Sequence, residues 1–266
     1  MITFLKRLIT SASAIFHRLS QDKAHSSSRH SLNDNQTQSA NESDELPKCP
    51  YCGENQETWP QRRKKKCSQC KKTMYVRYKS IERERGTGYL VFSDKTLATE
   101  EDAWVYDWML DLFELGYSRK KFDKRKSDYT KKHGVTLNNR DAVWSILNDL
   151  LDKYTKSSDL SKVQSVQFCM AKFLKEKEED PYIQLREQGK TRLIQLKSDN
   201  CNRVKICLSK RKNDPVPCEI CRVLENKEYS VDRALAELPL PPQECKNKYC
   251  STYYGQIFES TSIALE

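Results

Sequence analysis

Eight of the chain's eleven cysteines fall into two groups of four, and their paired, short spacings are those of metal ligands. In the first group two residues separate Cys49 from Cys52, two separate Cys67 from Cys70, and fourteen lie between the pairs. Two intervening residues let both sulfurs of a pair reach one ion from a tight knuckle, and Gly53 relieves the backbone where it turns beneath the metal. Four thiolates complete a tetrahedron with no open position, which is the chemistry of a structural zinc ion and not of a catalytic one. Unliganded or redox-active thiols are the competing reading. A redox site has no use for two knuckles, and so short a segment has almost no core without a metal.

The second group pairs Cys218 with Cys221 and places Cys245 and Cys250 much later, one knuckle regular and the other loose. These four fit a second zinc ion, with buried or free thiols as the alternative. Cys169, Cys201 and Cys207 read as small core residues or strand positions, although Cys201 or Cys207 can replace a ligand. Thiolates hold zinc only where they stay reduced, so the two-zinc reading places the protein in the cytoplasm.

Cations cluster in two places. Arg62, Arg63, Lys64, Lys65 and Lys66 lie between the first knuckles and are continued by Lys71, Lys72 and Arg77, with Tyr51, Trp59 and Tyr75 nearby. Such groups neutralise phosphates and release counterions, while aromatic faces such as Trp59 stack on exposed bases, so DNA or RNA is a fitting partner. A solvated charged hairpin is the plain alternative. The second cluster spans 119–132, where Arg119, Lys120, Lys121, Lys124, Arg125, Lys126, Lys131 and Lys132 face only Asp123 and Asp128. With Phe122 and Tyr129 as its clear anchors, a helix here exposes most of its circumference, and Lys120, Lys121, Lys124 and Arg125 join the candidate contacts. The whole chain carries a formal charge of +10, which favours an acidic partner without bearing on fold.

Catalytic patterns are missing from the sequence. His17, His25 and His30 lie in the leader, and His133 suits the end of the basic helix, where its charge favours the dipole. There is no glycine-rich phosphate loop, serine-nucleophile elbow or paired-histidine protease motif. Asp107, Asp111 and Glu114 stand at helical spacing and read as a solvated acidic face, with no catalytic lysine beside them to make a Mg²⁺ site. A zinc-dependent nuclease needs a histidine base beside a ligand-poor metal, whereas this chain offers closed cysteine sets. The sequence therefore points to binding more than to an enzyme.

The elements that must position these residues follow from pattern. In 1–20, Ile2, Leu5, Ile9, Ala12, Phe16 and Leu19 make one apolar helical stripe, with Lys6, Arg7, His17 and Arg18 off it. Partner docking, peripheral contact with a membrane surface and targeting all fit such an amphipathic helix, as does packing on the protein itself. No run is long and apolar enough for a transmembrane span. Residues 21–46 have the composition of a disordered linker. The zinc ribbon occupies 47–79 and closes with a strand over 73–78, after which Gly86 and Gly88 mark a turn.

A helical domain over 97–198 comes next. Thr99 caps a first helix that buries Val105, Trp108, Met109 and Leu112 and stops at Gly116, and a second over 119–133 stops at Gly134. Asn138 or Asn139 caps a third with Val143, Leu147, Leu150, Leu151 and Tyr154 inside. Asp159 opens a fourth with Val163, Val166, Met170, Phe173 and Leu174 inside, and a fifth follows Pro181 to about residue 196. The cysteine-rich C-terminal domain, 199–258, holds a strand over 203–208, a strand-like run over 228–231 and the loop LPLPP. The fold class is α+β and mainly helical: an N-terminal zinc ribbon, a central helical-hairpin block without a fixed-period repeat, and a small zinc-binding, β-containing C-terminal segment.

Several strings together resemble uncharacterised bacterial and phage-borne proteins with an N-terminal zinc ribbon and a cysteine-rich C-terminus. They are CPYCG at 49–53, PQRRKKKCSQC at 60–70, YVR at 75–77, CEICRVLENKEYSVDRAL from Cys218, LPLPPQEC and YC. The last segment is also similar to the C-terminal region of phage head-morphogenesis proteins. Lys71 stands where the second knuckle of such ribbons has glycine, a small cost if residue 71 avoids a left-handed backbone, and Thr252 stands where the C-terminal pattern ends in cysteine. The resemblance implies no established activity. The reading it leaves is a non-enzymatic zinc protein associated with nucleic acid, with a zinc-stabilised protein-interaction adaptor or phage-type assembly component as the alternative.

Overall fold

β-Structure frames the cysteines near both ends of the chain and helices fill the middle, in a computed structural model that describes residues 46–57, 60, 63–78, 81–83, 90–92, 95–209, 216–245 and 252–257. The proposed helix 1–20, nearly all of the linker 21–46, Gly86 and Gly88 lie outside the described residues. The α+β class holds, with helices predominating. No described helix is long and apolar enough to cross a membrane.

The chain divides into two compact units that part inside a helix, after Val143. In the first, strands β1 (Lys64–Lys66), β2 (Thr73–Tyr78) and β5 (Lys95–Ala98) form an antiparallel sheet in the order β1-β2-β5, while β3 (Ile81–Arg83) and β4 (Leu90–Phe92) make a separate hairpin. Strand alternation turns Met74 and Leu97 inward, where they form a small core with Cys49 and Cys67.

Helix α1 (Glu100–Glu114) starts at Thr99, whose hydroxyl accepts from the Asp102 N–H at 3.1 Å and satisfies one of the first-turn donors. It buries Val105, Trp108, Met109 and Leu112. Its end is a Schellman turn in which Tyr117 N–H reaches Leu112 O at 2.8 Å and Gly116 takes φ 78°. Helix α2 (Arg119–His133) is capped by Ser118 and ends at Gly134, and Phe122 is its one fully buried residue. Asn138 caps α3 (Asn139–Lys156), its side-chain oxygen accepting from Asp141 N–H at 2.8 Å.

The second unit contains the rest of α3, then α4 (Leu160–Glu176) packed on α5 (Tyr182–Ser198). Asp159 caps α4, which buries Val163, Val166, Met170 and Phe173 and leaves Leu174 half-buried. A second antiparallel sheet has β6 (Arg203–Leu208) at its centre, flanked by β7 (Glu228–Ser230) and β8 (Thr252–Gln256). Val204 and Ile206 point into a core shared with Leu193, Leu196, Val231, Leu240 and Tyr254. The run over 228–231 is strand only to Ser230, because Ser230 caps α7 (Val231–Glu237) by accepting from Arg233 N–H at 3.2 Å.

Tyr254 ties the 238–242 loop to the sheet: its buried hydroxyl oxygen accepts from Leu240 N–H at 3.2 Å, and burial pushes the phenol's pKa upward. Tyr254→Phe leaves that buried N–H without its partner, at a cost of about 1–3 kcal/mol. Denaturant unfolding of the second unit, followed by amide exchange in β6, should register this loss; an unchanged midpoint would mean the loop is held by other contacts.

Candidate metal centres and basic surfaces

The two N-terminal knuckles are built alike. Cys49 N–H donates to Glu54 O at 2.8 Å and Gly53 N–H to Cys49 O at 2.9 Å; Cys67 N–H donates to Lys72 O at 2.9 Å and Lys71 N–H to Cys67 O at 3.2 Å. Each turn requires a left-handed residue just after its second cysteine, at φ 77° for Gly53 and φ 62° for Lys71. Lys71 therefore does not escape the left-handed region, correcting the expectation of a low cost there. An L-residue pays roughly 1–2 kcal/mol in that conformation. The Lys71 ammonium donates to Ser68 O within the same turn.

The knuckles bring four sulfurs together, all within 4.8 Å of one another. Cys49 Sγ lies 3.8 Å from Cys70 Sγ, and Cys52 Sγ lies 3.8 Å from Cys67 Sγ. A tetrahedron with metal–sulfur bonds of about 2.3 Å has edges of about 3.8 Å, so the donor set fits one tetrahedral ion. A disulfide needs sulfurs about 2.05 Å apart, and the described cysteines are all free of such links. Cys49 and Cys67 are buried while Cys52 is exposed.

Gln56 completes this centre and was not visible as a participant in the sequence. Its side chain is buried, and Nε2 donates to Glu54 O at 3.2 Å and to Cys67 Sγ at 3.7 Å. Backbone hydrogen bonding from Cys70, then Gln69, together with the Cys49 and Cys70 side chains, draws the Cys67 thiol down to about 6. At the exposed Cys52 the largest single influence, the backbone at Glu54, acts downward; desolvation by its neighbours and the other three thiols together outweigh it and push the group to about 12. Thiols must lose their protons to bind a metal, so metal affinity at this cluster rises with pH.

At the other end, Cys218 is the N-cap of α6 (Glu219–Leu224), makes no capping hydrogen bond, and stands three residues before the fully buried Cys221. Cys245, fixed by its N–H to Pro242 O at 3.1 Å, lies 3.8 Å from Cys218 Sγ and 3.7 Å from Cys221 Sγ. Three sulfurs of this group therefore converge within 4.8 Å of one another, two of their separations at the same tetrahedral edge length. Cys250 lies outside the described residues.

The other cysteines have separate roles. Cys201 Sγ donates to Arg203 O at 3.1 Å inside the second core, and Cys169 is buried in α4. Cys207 packs so close to Gly255 that a Cβ there would stand 2.7 Å from its sulfur, so β8 needs glycine at that point. Among the described residues the two cysteine groups are the clusters able to hold a metal, and Asp107, Asp111 and Glu114 form no such group.

The basic residues sort differently from their order in sequence. Lys64, Lys65 and Lys66 are exposed on β1, an edge strand, so alternation sends Lys65 to the face opposite Lys64 and Lys66. Edge lysines also discourage pairing with another strand. Arg63 is exposed beside them, whereas Trp59 and Arg62 lie outside the described residues. Lys71 is held in its knuckle, and Lys72 Nζ lies 4.9 Å from the Tyr51 ring centre. Tyr51 in turn accepts from Glu100 N–H at 2.9 Å, so its hydroxyl ties the knuckle to α1. Arg77, read from sequence as free basic surface, is instead a strut: it is largely buried and pairs with Asp107 at 2.8 Å, with the Tyr75 and Tyr106 rings each 5.7 Å away.

On α2, Lys120 and Lys121 are exposed, Arg119 pairs with Asp123 at 3.0 Å and Lys124 with Asp128 at 2.6 Å. Arg125 is half-buried. A shallow groove along this helix is lined by Tyr117, Lys121, Lys124, Arg125, Asp128, Tyr129, Lys132 and His133. Tyr117 is the residue that sequence reading missed; its four-residue step to Lys121, Arg125, Tyr129 and His133 is the signal that finds it. Comparison with protein-family models, curated proteins and solved structures finds no match for this chain.

Two outcomes follow from the knuckle geometry. Lys71→Gly should stabilise the metal-loaded N-terminal module by about 1 kcal/mol, read from its thermal unfolding, because glycine adopts the left-handed turn without the Cβ penalty. A destabilised variant would show that the Lys71 contact to Ser68 outweighs the strain. Gln56→Ala should weaken metal affinity about 10–100-fold in a chelator competition, since the donor that orients a ligand sulfur is removed. Unaltered affinity would reduce Gln56 to a packing residue.

Proposed function

We propose that this chain is a non-enzymatic, cytoplasmic zinc protein that associates with nucleic acid. One zinc ion is held by Cys49, Cys52, Cys67 and Cys70 in a zinc ribbon, and a second by Cys218, Cys221 and Cys245 with Cys250 as the fourth thiolate. Both are closed sites that shape the backbone, since four thiolates leave no position for a substrate. The sulfur separations of 3.7–3.8 Å in both groups support this assignment.

The observation that carries the nucleic-acid part is α2 itself. A fifteen-residue helix with one buried side chain displays a large excess of lysine and arginine to solvent. Such a surface releases counterions when it neutralises phosphates, and that gain does not depend on base sequence. The exposed cations of β1 add to the same field.

A protein-adaptor or assembly role is the second reading, favoured by Val216 and Val223, which flank the second cysteine group and are 69% and 63% exposed. Exposed apolar side chains beside a rigid metal knuckle suit a protein contact.

Protein purified without chelator should contain two zinc ions per chain by elemental analysis. Its binding to DNA or RNA should fall steeply between about 50 and 200 mM salt. Replacing Arg62, Arg63, Lys64, Lys65 and Lys66 with glutamine should make that slope shallower without releasing zinc. Absence of binding at low salt would move the adaptor reading to first place.

A further inference from the structure

The groove on α2 combines cations with aromatic rings, and charge alone does not account for the rings. Along one face of the helix stand Lys121, Lys124, Arg125, Tyr129 and Lys132, with Tyr117 just before its first turn. Lys124 answers Asp128 at 2.6 Å inside the groove and holds that carboxyl below its usual range, so the positive charge offered to a ligand is that of the exposed Lys121 and Lys132. The Tyr129 and His133 rings lie against each other, centres 4.4 Å apart and planes tilted by 34°, forming an aromatic platform beside Lys132. Tyr117 closes the other end, its hydroxyl donating to Lys121 O at 3.5 Å.

We propose that this face of α2 is a binding site for single-stranded polynucleotide, with Lys121 and Lys132 on phosphates and the Tyr129–His133 platform under an unpaired base. The proposal rests on the nucleic-acid reading above and adds the place and the strandedness. Lys121 and Lys132 are about 16 Å apart along the helix axis, so they touch different phosphates of one strand while the platform lies between the first of them and the helix end. Unpaired bases offer a π-face to any aromatic ring, whereas bases in a duplex are stacked on each other and present only edges and phosphates. An acidic peptide satisfies the lysines but gives Tyr129 nothing to stack on. The lysines of β1 are arranged differently: they project to both faces of an edge strand, and Tyr75, opposite Lys64 on β2, lies with its ring centre 5.7 Å from the Arg77 guanidinium.

The test uses the full zinc-loaded chain and fluorescence anisotropy with labelled 20-mers of uridine, of thymidine and of a mixed-sequence duplex, at several salt concentrations. Lys121→Gln with Lys132→Gln should weaken single-strand binding at least tenfold and lower the salt slope by about two phosphates' worth. Tyr129→Leu should weaken single-strand binding about tenfold and leave the duplex unchanged, and Tyr129→Phe should restore it. Lys64→Gln with Lys66→Gln on β1 should have the smaller effect, and the two homopolymers separate an RNA from a DNA preference. Zinc content and helical circular dichroism of each variant guard against misfolding. Parent protein that binds single strands while the α2 variants bind equally well would overturn this site and leave the wider reading standing. A duplex bound more tightly than either single strand, or poly-glutamate bound as tightly as uridine with no effect of Tyr129→Leu, would overturn the stacking role. Parent protein that binds no polynucleotide would overturn both.

Discussion

Convergence of four cysteine sulfurs is the constraint on which the first unit's β-structure depends. Its core beside the knuckles consists of Met74 and Leu97 together with Cys49 and Cys67. Half of those buried residues are cysteines, and without something to bind their thiols Met74 and Leu97, with the partly buried Tyr51 and Val76, remain to hold the two knuckle turns against the sheet. That is too little burial to offset the ordering of the segment. On the proposed zinc reading a metal bound by thiolates supplies what that small core lacks, and the rest attaches in sequence: the second knuckle joins β1 to β2, β2 pairs with β5, and Tyr51 and Arg77 brace α1 through Glu100 and Asp107. Even the left-handed backbone at Lys71 is explained by this demand, because the second turn must match the first for all four sulfurs to meet.

The second unit has a different balance. Leu193, Leu196, Val204, Ile206 and Val231 form a core of ordinary apolar side chains, so its sheet does not wait on a metal. The sulfurs there bring the start of α6 together with the turn after Pro242. On the proposed two-zinc reading one chemistry serves two purposes in the chain, founding a fold in one unit and pinning a loop in the other.

What could be read from sequence was what short-range physics decides. Thr99 and Asp159 act at helix starts through their own hydrogen bonds, Gly134 ends a helix by its own conformation, and the Cys-x-x-Cys pairs need only a local turn. Residues whose role depends on distant partners were hidden. Arg77 looks like a free cation until Asp107, thirty positions later, folds against it. The run of lysines over 64–66 looks like one patch until pairing with β2 makes it a strand with two faces. Gln56 is an unremarkable polar residue in sequence, and only the meeting of both knuckles buries it against Cys67. The end of β7 one residue early has the same origin, since Ser230 is claimed as a helix cap.

The central claim is that thiolates alone surround the metal at both centres. X-ray absorption at the zinc edge of the purified full chain measures this most directly. The account predicts an average shell of four sulfurs at about 2.3 Å with no nitrogen or oxygen neighbours. A first shell containing nitrogen or oxygen at about 2.0–2.1 Å, or fewer than four sulfurs per zinc, would contradict it and open at least one centre to exchangeable ligands.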